Sequence, residues 1–404
     1  MEILPILSSL RRHKITALLL VLEIALTCAI VSNAIFLINQ RLELMHQPSG
    51  VAEHELVQVR PISLNRDQDE VARGKTDEDM LRQIPGVRAV GLLNQIPFGN
   101  SSWNSGIKLD PKQRQATLNA TLYYGDNLIN TLGLRLIAGR DFREDEYRLF
   151  KDVIADKAKE PATVIITRTL ADKLWPGESA LGKSIYFSDD PARVIGVVDS
   201  LVRPSDRGAS AAQWSVILPM TVYGQLGASF MLRTDPKQRQ AVLEQAVKKL
   251  KESDPRRVIL NQRTWDDVRA EYFQSDRAMT GLLVAVIIAL LLVTGLGIVG
   301  LGSFWVAQRR KQIGIRRAVG ATRRNILRYF QTENFLLATI GIVLGMLLAF
   351  GLNLLLMQHY ETPRLPWLYL PIGAVALWLI GQLAVLGPAL RASRVPPVVA
   401  TRTV

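Results

Sequence analysis

The residues best spaced for chemistry lie at positions 177–184, where Gly-Glu-Ser-Ala-Leu-Gly-Lys-Ser matches the phosphate-loop pattern G-x-x-x-x-G-K-[ST]. In that motif a strand precedes the loop and a helix follows it, so that backbone N–H groups and the helix dipole face the phosphates. Here a helical pattern at 168–175 precedes the motif and a strand pattern at 184–187 follows it. The sequence therefore predicts an ordinary helix-to-strand turn, with no nucleotide site.

Few residues of this chain are suited to bind a metal or to act as nucleophiles. His13 and His359 flank apolar runs, His46 and His54 follow the first run, and the single cysteine, Cys28, lies within it. Cys/His metal sites, intramolecular disulfides and His-activated nucleophiles therefore lack the residues that they need. We predict no catalytic, cofactor-binding or metal-binding residues and a chain that is not itself an enzyme. A site built from carboxylates alone stays open, although solvated surface acids are the simpler interpretation.

Four apolar runs are long enough to cross a bilayer as helices, at 15–38, 279–306, 335–357 and 367–387. The first run is too long for a signal peptide and lacks a clear cleavage site, so we interpret it as a retained anchor. Its only charged residue is Glu23, which is a functional candidate by default; structural pairing with a basic helix flank is the simpler alternative. Asn353 in the third run is suited to hydrogen bonding between helices.

Positive charge is concentrated in short segments beside these runs. The stretch 308–328, here called the basic segment, contains eight Lys or Arg and no Asp or Glu. The positive-inside rule places it, and both termini, in the cytoplasm and residues 41–278 outside. The outer residues are nearly neutral although the whole chain has a formal charge of +13. The basic composition therefore does not indicate nucleic-acid binding.

The sequence predicts a membrane protein with one N-terminal and three C-terminal transmembrane helices and a large α+β extracytoplasmic domain between the first and second. Its predicted divisions are 1–40, 41–278 and 279–404. Strand-like and helix-like patterns alternate in the outer part, including a helix at 76–84 capped by Thr76. A second capped start, at Thr264, predicts a helix that continues without interruption through Asp276 into the second span as a rigid stalk.

The basic segment has a helical pattern of its own. Residues 308–319 predict a short helix with Ile315, Ala318 and Val319 on one stripe; Gly320 then predicts its end, and Thr322 caps a new helix into the third span. Such a helix either rests on anionic lipid or couples to a partner. Glycines suited to close helix packing or a dimer contact occur in the second and third spans, at Gly295, Gly297, Gly300, Gly302, Gly341 and Gly345.

The basic segment carries a family resemblance. Residues 309–326, followed by Thr332-Glu333, resemble the signature of FtsX-like, MacB-type ABC transporter permeases, and 388–402 resemble that family's closing motif. Residues 133–142 and 181–198 resemble its extracytoplasmic core. The resemblance implies a bacterial inner-membrane permease subunit that dimerises with itself or a paralogue and acts by mechanotransmission in efflux or extraction. It also implies a separate cytoplasmic ABC ATPase that binds ATP and Mg, and a possible periplasmic adaptor.

The resemblance also implies where the ATPase would bind. The coupling residues would be Gln312, Gly314, Ile315, Arg316, Arg317, Ala318, Val319, Gly320 and Ala321. The family usually has an acid where this chain has Gln312, so partner contacts at that position would differ. Two other functions remain alternatives: a membrane-anchored sensor or scaffold whose outer domain binds a ligand without transport, and a membrane hydrolase acting outside the cytoplasm.

Overall fold

The computed structural model describes residues 14–63, 69–99, 102–156, 160–205, 213–223, 228–360 and 364–396. Parts of the basic termini and of the closing motif, at 1–13 and 397–404, lie outside the described residues. The chain forms two compact units: residues 1–45 with 276–404, called the membrane unit, and residues 46–275, called the outer unit.

Helices and strands follow one another in a mixed order along the chain. The helices are α1 (Lys14–Met45), α2 (Glu70–Arg82), α3 (Leu128–Leu132), α4 (Phe150–Ala155), α5 (Arg168–Leu174), α6 (Arg239–Ser253), α7 (Trp265–Tyr272), α8 (Gln274–Gln308), α9 (Arg310–Ala318), α10 (Arg323–Tyr360) and α11 (Tyr369–Ser393). The strands are β1 (Leu56–Ser63), β2 (Val87–Leu93), β3 (Asn104–Ile107), β4 (Leu118–Tyr124), β5 (Leu136–Gly139), β6 (Arg148–Leu149), β7 (Thr163–Thr167), β8 (Ser184–Tyr186), β9 (Pro191–Val198), β10 (Ser215–Leu218), β11 (Met220–Thr221), β12 (Ser229–Thr234) and β13 (Arg257–Thr264).

The membrane unit contains the four predicted spans, which are α1, α8, α10 and α11 in chain order. Each is long and apolar enough to cross a bilayer. The first, third and fourth spans pack on one another through buried apolar side chains such as Ile24, Ile342 and Leu377. The second span, α8, is the most exposed of the four, and the Leu296 side chain is 70% exposed.

The outer unit is α+β, as the sequence predicts. Its antiparallel sheet of four strands has the order β13-β1-β12-β2, and its larger sheet has the order β3-β4-β10-β7-β9-β5 with β8 paired to β9. An apolar core rich in buried Val, Ile and Leu includes residues from both sheets. Helices α2 and α6 pack on the smaller sheet, and α5 packs on β7 and β9.

The helix predicted to begin at Thr76 begins earlier. Asp69 is its N-cap, and the Asp69 carboxylate accepts hydrogen bonds from the N–H groups of Val71 (3.0 Å) and Ala72 (3.4 Å). Thr76 lies inside α2, where its hydroxyl donates to the carbonyl of Ala72 (2.9 Å). The prediction was wrong because Asp and Thr are both good caps, and the earlier one satisfies the first amide groups.

The predicted stalk is divided in two. Thr264 caps α7 through a capping box with Asp267, as predicted, but α7 ends at Tyr272 and α8 begins at Gln274. The residue between them, Phe273, is buried, and its ring lies 5.3 Å from that of Phe98. Packing of this side chain in the outer unit therefore interrupts a helix that local sequence alone predicts to be continuous.

Candidate functional site: the basic segment

The basic segment forms the predicted short helix, α9, which ends in a Schellman motif. The N–H of Gly320 donates to the carbonyl of Arg317 (3.3 Å), and the N–H of Ala321 donates to that of Arg316 (3.0 Å). Gly320 has a φ of +103°, a conformation that favours glycine. The predicted end at this glycine is confirmed.

A new helix begins directly after this turn. The Thr322 hydroxyl accepts a hydrogen bond from the N–H of Asn325 (3.2 Å), and α10 runs from Arg323 into the third span. The turn between α9 and α10 is therefore short and defined by hydrogen bonds at both ends. It holds α9 beside the end of the third span.

One face of α9 is fixed to the membrane unit. Ile313 is buried together with Ile326 and Phe330 of α10 and with Ala389 and Ala392 of α11. Gly314, the next residue, is also buried. This apolar contact attaches α9 to the ends of two spans at once, so that a displacement of the helix would be transmitted to both.

The opposite face of α9 carries apolar residues that are exposed. Ile315 is 47% exposed, Val319 is 84% exposed and Ala318 is exposed as well. Gln312, also exposed, lies three residues before Ile315 and therefore on the same face. We call Gln312, Ile315, Ala318 and Val319 the outward stripe. The sequence predicts that three of these residues share a face, and the structure shows that this face is open.

Two arginines of the proposed coupling site contact the chain itself. Arg317 donates from Nη1 to the carbonyl of Ser393 in the fourth span (2.6 Å). The Arg316 guanidinium lies 4.7 Å from the centre of the Tyr329 ring, within range of a cation–π contact. Both side chains therefore help to hold α9 in place, which the sequence does not reveal.

A buried ion pair joins the beginning of the basic segment to the third span. Arg309 Nη1 lies 2.9 and 3.0 Å from the two carboxylate oxygens of Glu333. The side chains are 8% and 1% exposed, respectively. The Arg309 guanidinium also lies 5.6 Å from the Trp305 ring centre. Sequence reasoning missed this pair, although Glu333 is the only acid at positions 277–360.

The two glycines of the third span lie against the first span. A Cβ atom at Gly341 would lie 2.8 Å from Ile24 Cβ, and one at Gly345 would lie 2.5 Å from Cys28 Cβ. Real Cβ contacts are essentially never shorter than 3.0 Å. These positions therefore require glycine for the observed approach of the two helices.

The four glycines of the second span have different surroundings. A Cβ at Gly295 would lie 3.7 Å from Ile380, and one at Gly302 would lie 3.4 Å from Pro388. A Cβ at Gly297 would lie 2.8 Å from a carboxylate oxygen of Glu23, so Glu23 lies against the second span. Gly300 has no heavy atom of the described chain within 4 Å of the corresponding point.

Polar side chains also connect the spans. Asn353, predicted to bond between helices, instead accepts a hydrogen bond from the N–H of Leu365 (2.8 Å), which lies outside the helices and before the fourth span. Two further contacts between spans have no local signal in the sequence. Asn334 donates to the carbonyl of Gly381 (2.9 Å), and the hydroxyls of Thr27 and Thr294 lie 2.9 Å apart.

The phosphate-loop pattern has the local structure that the sequence predicts. Helix α5 precedes it and strand β8 follows it. Lys183, which would contact phosphates in a true motif, instead forms an ion pair with Glu178 and lies 5.3 Å from the Trp175 ring centre. The order of helix and strand and the engaged lysine both argue against a nucleotide site.

Two family models together match most of the chain. Residues 15–250 match the MacB-like periplasmic core domain, and residues 284–397 match the FtsX-like permease C-terminal domain. The first match alone includes more than half of the chain.

Curated relatives show the same similarity at low identity. The chain is 27% identical over 277 residues to the macrolide export ATP-binding/permease protein MacB of Neisseria meningitidis serogroup A, which covers 67% of this chain and 40% of the relative. It is 28% identical over 301 residues to the Acinetobacter baylyi protein of the same name, covering 72% of this chain and 42% of the relative. The chain thus matches less than half the length of these relatives.

Among solved structures, the periplasmic region of MacB from Actinobacillus actinomycetemcomitans is 18% identical to the chain. The match covers 57% of this chain and 97% of that one, with a TM-score of 0.34.

Proposed function

Since the chain belongs to the family of FtsX-like permeases with a MacB-like periplasmic core domain, we propose that it is the permease subunit of an ATP-binding cassette transporter whose ATPase is a separate protein. The names of its curated relatives combine an ATP-binding and a permease part. In this proposal ATP and Mg bind to the partner ATPase, and the permease chain supplies the spans and the periplasmic domain.

The observation that carries this proposal is the two-sided character of α9. Its inner face is buried against the third and fourth spans through Ile313, while Ile315 and Val319 on its outer face are exposed. An exposed apolar stripe bordered by charged residues is typical of a surface that a partner protein covers. A partner bound there would displace the ends of two spans whenever it changed shape.

The same segment supports a proposed orientation of the chain. Eight basic residues at 308–328 favour a cytoplasmic location of the outward stripe, where an ATPase has access to ATP. The N- and C-termini are then cytoplasmic as well, and the outer unit is periplasmic. Hydrolysis by the ATPase bound at the stripe is converted into movement of the periplasmic domain, which drives export or extraction of a substrate.

A second copy of the chain, or a paralogue, packs on the second span in the working transporter. The apolar face of α8 is the most exposed surface among the spans, with Leu292 and Leu296 pointing away from the other helices. Gly300 on the same helix has no neighbour in the described chain and permits close approach of another helix.

Copurification in mild detergent tests this proposal. The tagged full chain is expected to retain an ABC ATPase in equal amount, and Val319→Glu is expected to abolish retention because it places a charge in an apolar contact. Val319 is suitable because it is 84% exposed, so its replacement leaves the packing of the chain intact.

The control introduces the same charge close by. Asn325 is exposed and lies in the first turn of α10, where a Glu favours the helix dipole. Asn325→Glu is expected to retain the ATPase. Retention that is equal in both variants would contradict the assignment of the outward stripe, and the absence of any ATPase from the wild-type chain would favour the sensor or scaffold alternative.

A further inference from the structure

The larger sheet of the outer unit borders a cavity of about 730 Å³. Its walls come from β3, β4, β9 and β10, from α4 and from residues 160–162. This volume falls within the range of about 300–1,000 Å³ that is common for sites of small organic ligands. The cavity lies within the outer unit and shares no residue with the basic segment, so variants at the two places are tested separately.

Three aromatic rings form one side of this cavity. The ring centres of Trp103 and Tyr124 are 6.1 Å apart, those of Trp103 and Phe150 are 5.7 Å apart, and those of Tyr124 and Phe150 are 5.5 Å apart. The first two pairs meet edge to face, so the rings point their faces in different directions. Such a cluster offers π-faces to a guest molecule from more than one side.

The charged side chains among the described lining residues are acidic. Glu160 and Asp190 line the cavity, and the described lining residues include no Lys or Arg. Ser188 donates a hydrogen bond to one Glu160 oxygen (2.6 Å), which fixes the carboxylate while its other oxygen keeps its capacity to accept. Burial, followed by the negative charge of Glu160, raises the pKa of the Tyr124 hydroxyl. The field of Glu160 therefore reaches the aromatic cluster.

We propose that this cavity binds an amphiphilic organic cation, with its apolar body among Trp103, Tyr124 and Phe150 and its protonated amine beside Glu160. Aromatic faces attract cations, and the attraction increases where water is excluded. A carboxylate in the same cavity adds a charge-assisted hydrogen bond to an ammonium group. A neutral ligand of the same shape gains the apolar contacts only, and an anionic one is repelled by both carboxylates.

Calorimetric titration of the full chain in a maltoside detergent tests the proposal with a matched pair of probes. 4-Phenylbutylamine is protonated at neutral pH, whereas 4-phenylbutan-1-ol has a similar shape without the charge. We expect saturable binding of the amine, about ten-fold tighter than that of the alcohol, as the loss of one charge-assisted contact predicts.

Two variants separate the charge from the apolar wall. Glu160→Gln keeps an acceptor for Ser188. This variant is expected to lower the affinity for the amine by about ten-fold and to leave the affinity for the alcohol unchanged. Trp103→Ala is expected to lower the affinity for both probes. Because Trp103 is partly exposed, the chain should still fold. Glu144→Gln changes an exposed acid outside the cavity and serves as the control; thermal melting verifies that each variant is folded.

Several results would overturn the proposal. These are unsaturable uptake of the amine, equal affinity for amine and alcohol, or an amine affinity that Glu160→Gln and Glu144→Gln change to the same extent. Each of them leaves ATPase retention by the outward stripe unaffected, so failure here is distinguishable from failure of the proposed transporter function.

Discussion

Replacement of Glu333 by Gln should destabilise the membrane unit strongly, because it leaves the charge of Arg309 buried without a counter-ion. Arg309 is 7% exposed, so water does not reach its guanidinium in compensation. Removal of one partner from a buried ion pair costs about 3–5 kcal/mol. Arg309→Met should cost a similar amount, since the Glu333 carboxylate is even less exposed.

The double variant Arg309→Met/Glu333→Leu should recover most of this loss. When apolar residues replace both partners, the desolvation cost of each charge is lost together with the attraction between the charges. The net change in stability is often close to zero. Arg309 Nη2 is also buried without a hydrogen-bond partner among the described residues, which lowers the net value of the intact pair. We therefore expect a coupling energy of about 2 kcal/mol or more between the two positions.

The assay is the free energy of unfolding of the purified full chain in mixed micelles, titrated with a denaturing detergent. Arg324→Met, which removes an exposed arginine of the same segment, is the control and should change stability by less than about 0.5 kcal/mol. Two results would refute the interpretation of a buried, mutually dependent pair. In the first, the single variants lose no more stability than this control; in the second, their two losses sum to the loss of the double variant.

Three further predictions concern other parts of the chain. Gly345→Ala should lower the melting temperature of the chain because a Cβ there would lie 2.5 Å from the first span, whereas Gly351→Ala, with open space around it on the same helix, should not; equal melting temperatures would contradict this packing. Burial, followed by the charge of Glu78, raises the pKa of Asp126 to about 8. This carboxyl is thus protonated in the folded state but ionised in the unfolded state above about pH 4, so it should make the chain less stable as pH rises from about 4 to about 8. Asp126→Asn should remove that part of the slope in melting temperature against pH, and an unchanged slope would argue against a protonated carboxyl. Because Lys183 is paired with Glu178, Lys183→Ala should not change how much of a fluorescent ATP analogue the purified chain retains. A lower amount retained by the variant would support the phosphate-loop interpretation.

The features that the sequence predicts well depend on local patterns. Four long apolar runs suffice to define the spans, because length and composition alone decide whether a helix crosses a bilayer. The end of α9 at Gly320 and the cap at Thr322 are equally local, since each is determined by residues within one helical turn. The reversed order of helix and strand around Lys183 also follows from short-range patterns.

The features that the sequence does not predict depend on distant contacts. An apolar stripe formed by Ile315, Ala318 and Val319 would ordinarily be buried. In α9 the buried residues are instead Ile313 and Gly314, because this side of the helix packs on the ends of two other helices. Helix periodicity identifies a stripe but does not say which face is covered.

Contacts between residues distant in sequence explain why the ion pair, the helix break and the cavity were not predicted. Arg309 and Glu333 are 24 residues apart, and no local pattern indicates that they meet. The break at Phe273 arises from ring packing against a residue far away in sequence. The aromatic cavity likewise brings together residues such as Trp103 and Glu160 from separate elements, so only the folded chain reveals it.

ATP hydrolysis by the permease–ATPase complex in lipid nanodiscs tests directly whether the outward stripe couples the two proteins. We expect the wild-type chain and Asn325→Glu to change the hydrolysis rate of the ATPase to the same extent, and Val319→Glu to leave the rate at that of the ATPase alone. Regulation of hydrolysis by Val319→Glu equal to that by the wild-type chain would contradict the claim that the outward stripe of α9 couples the permease to its ATPase.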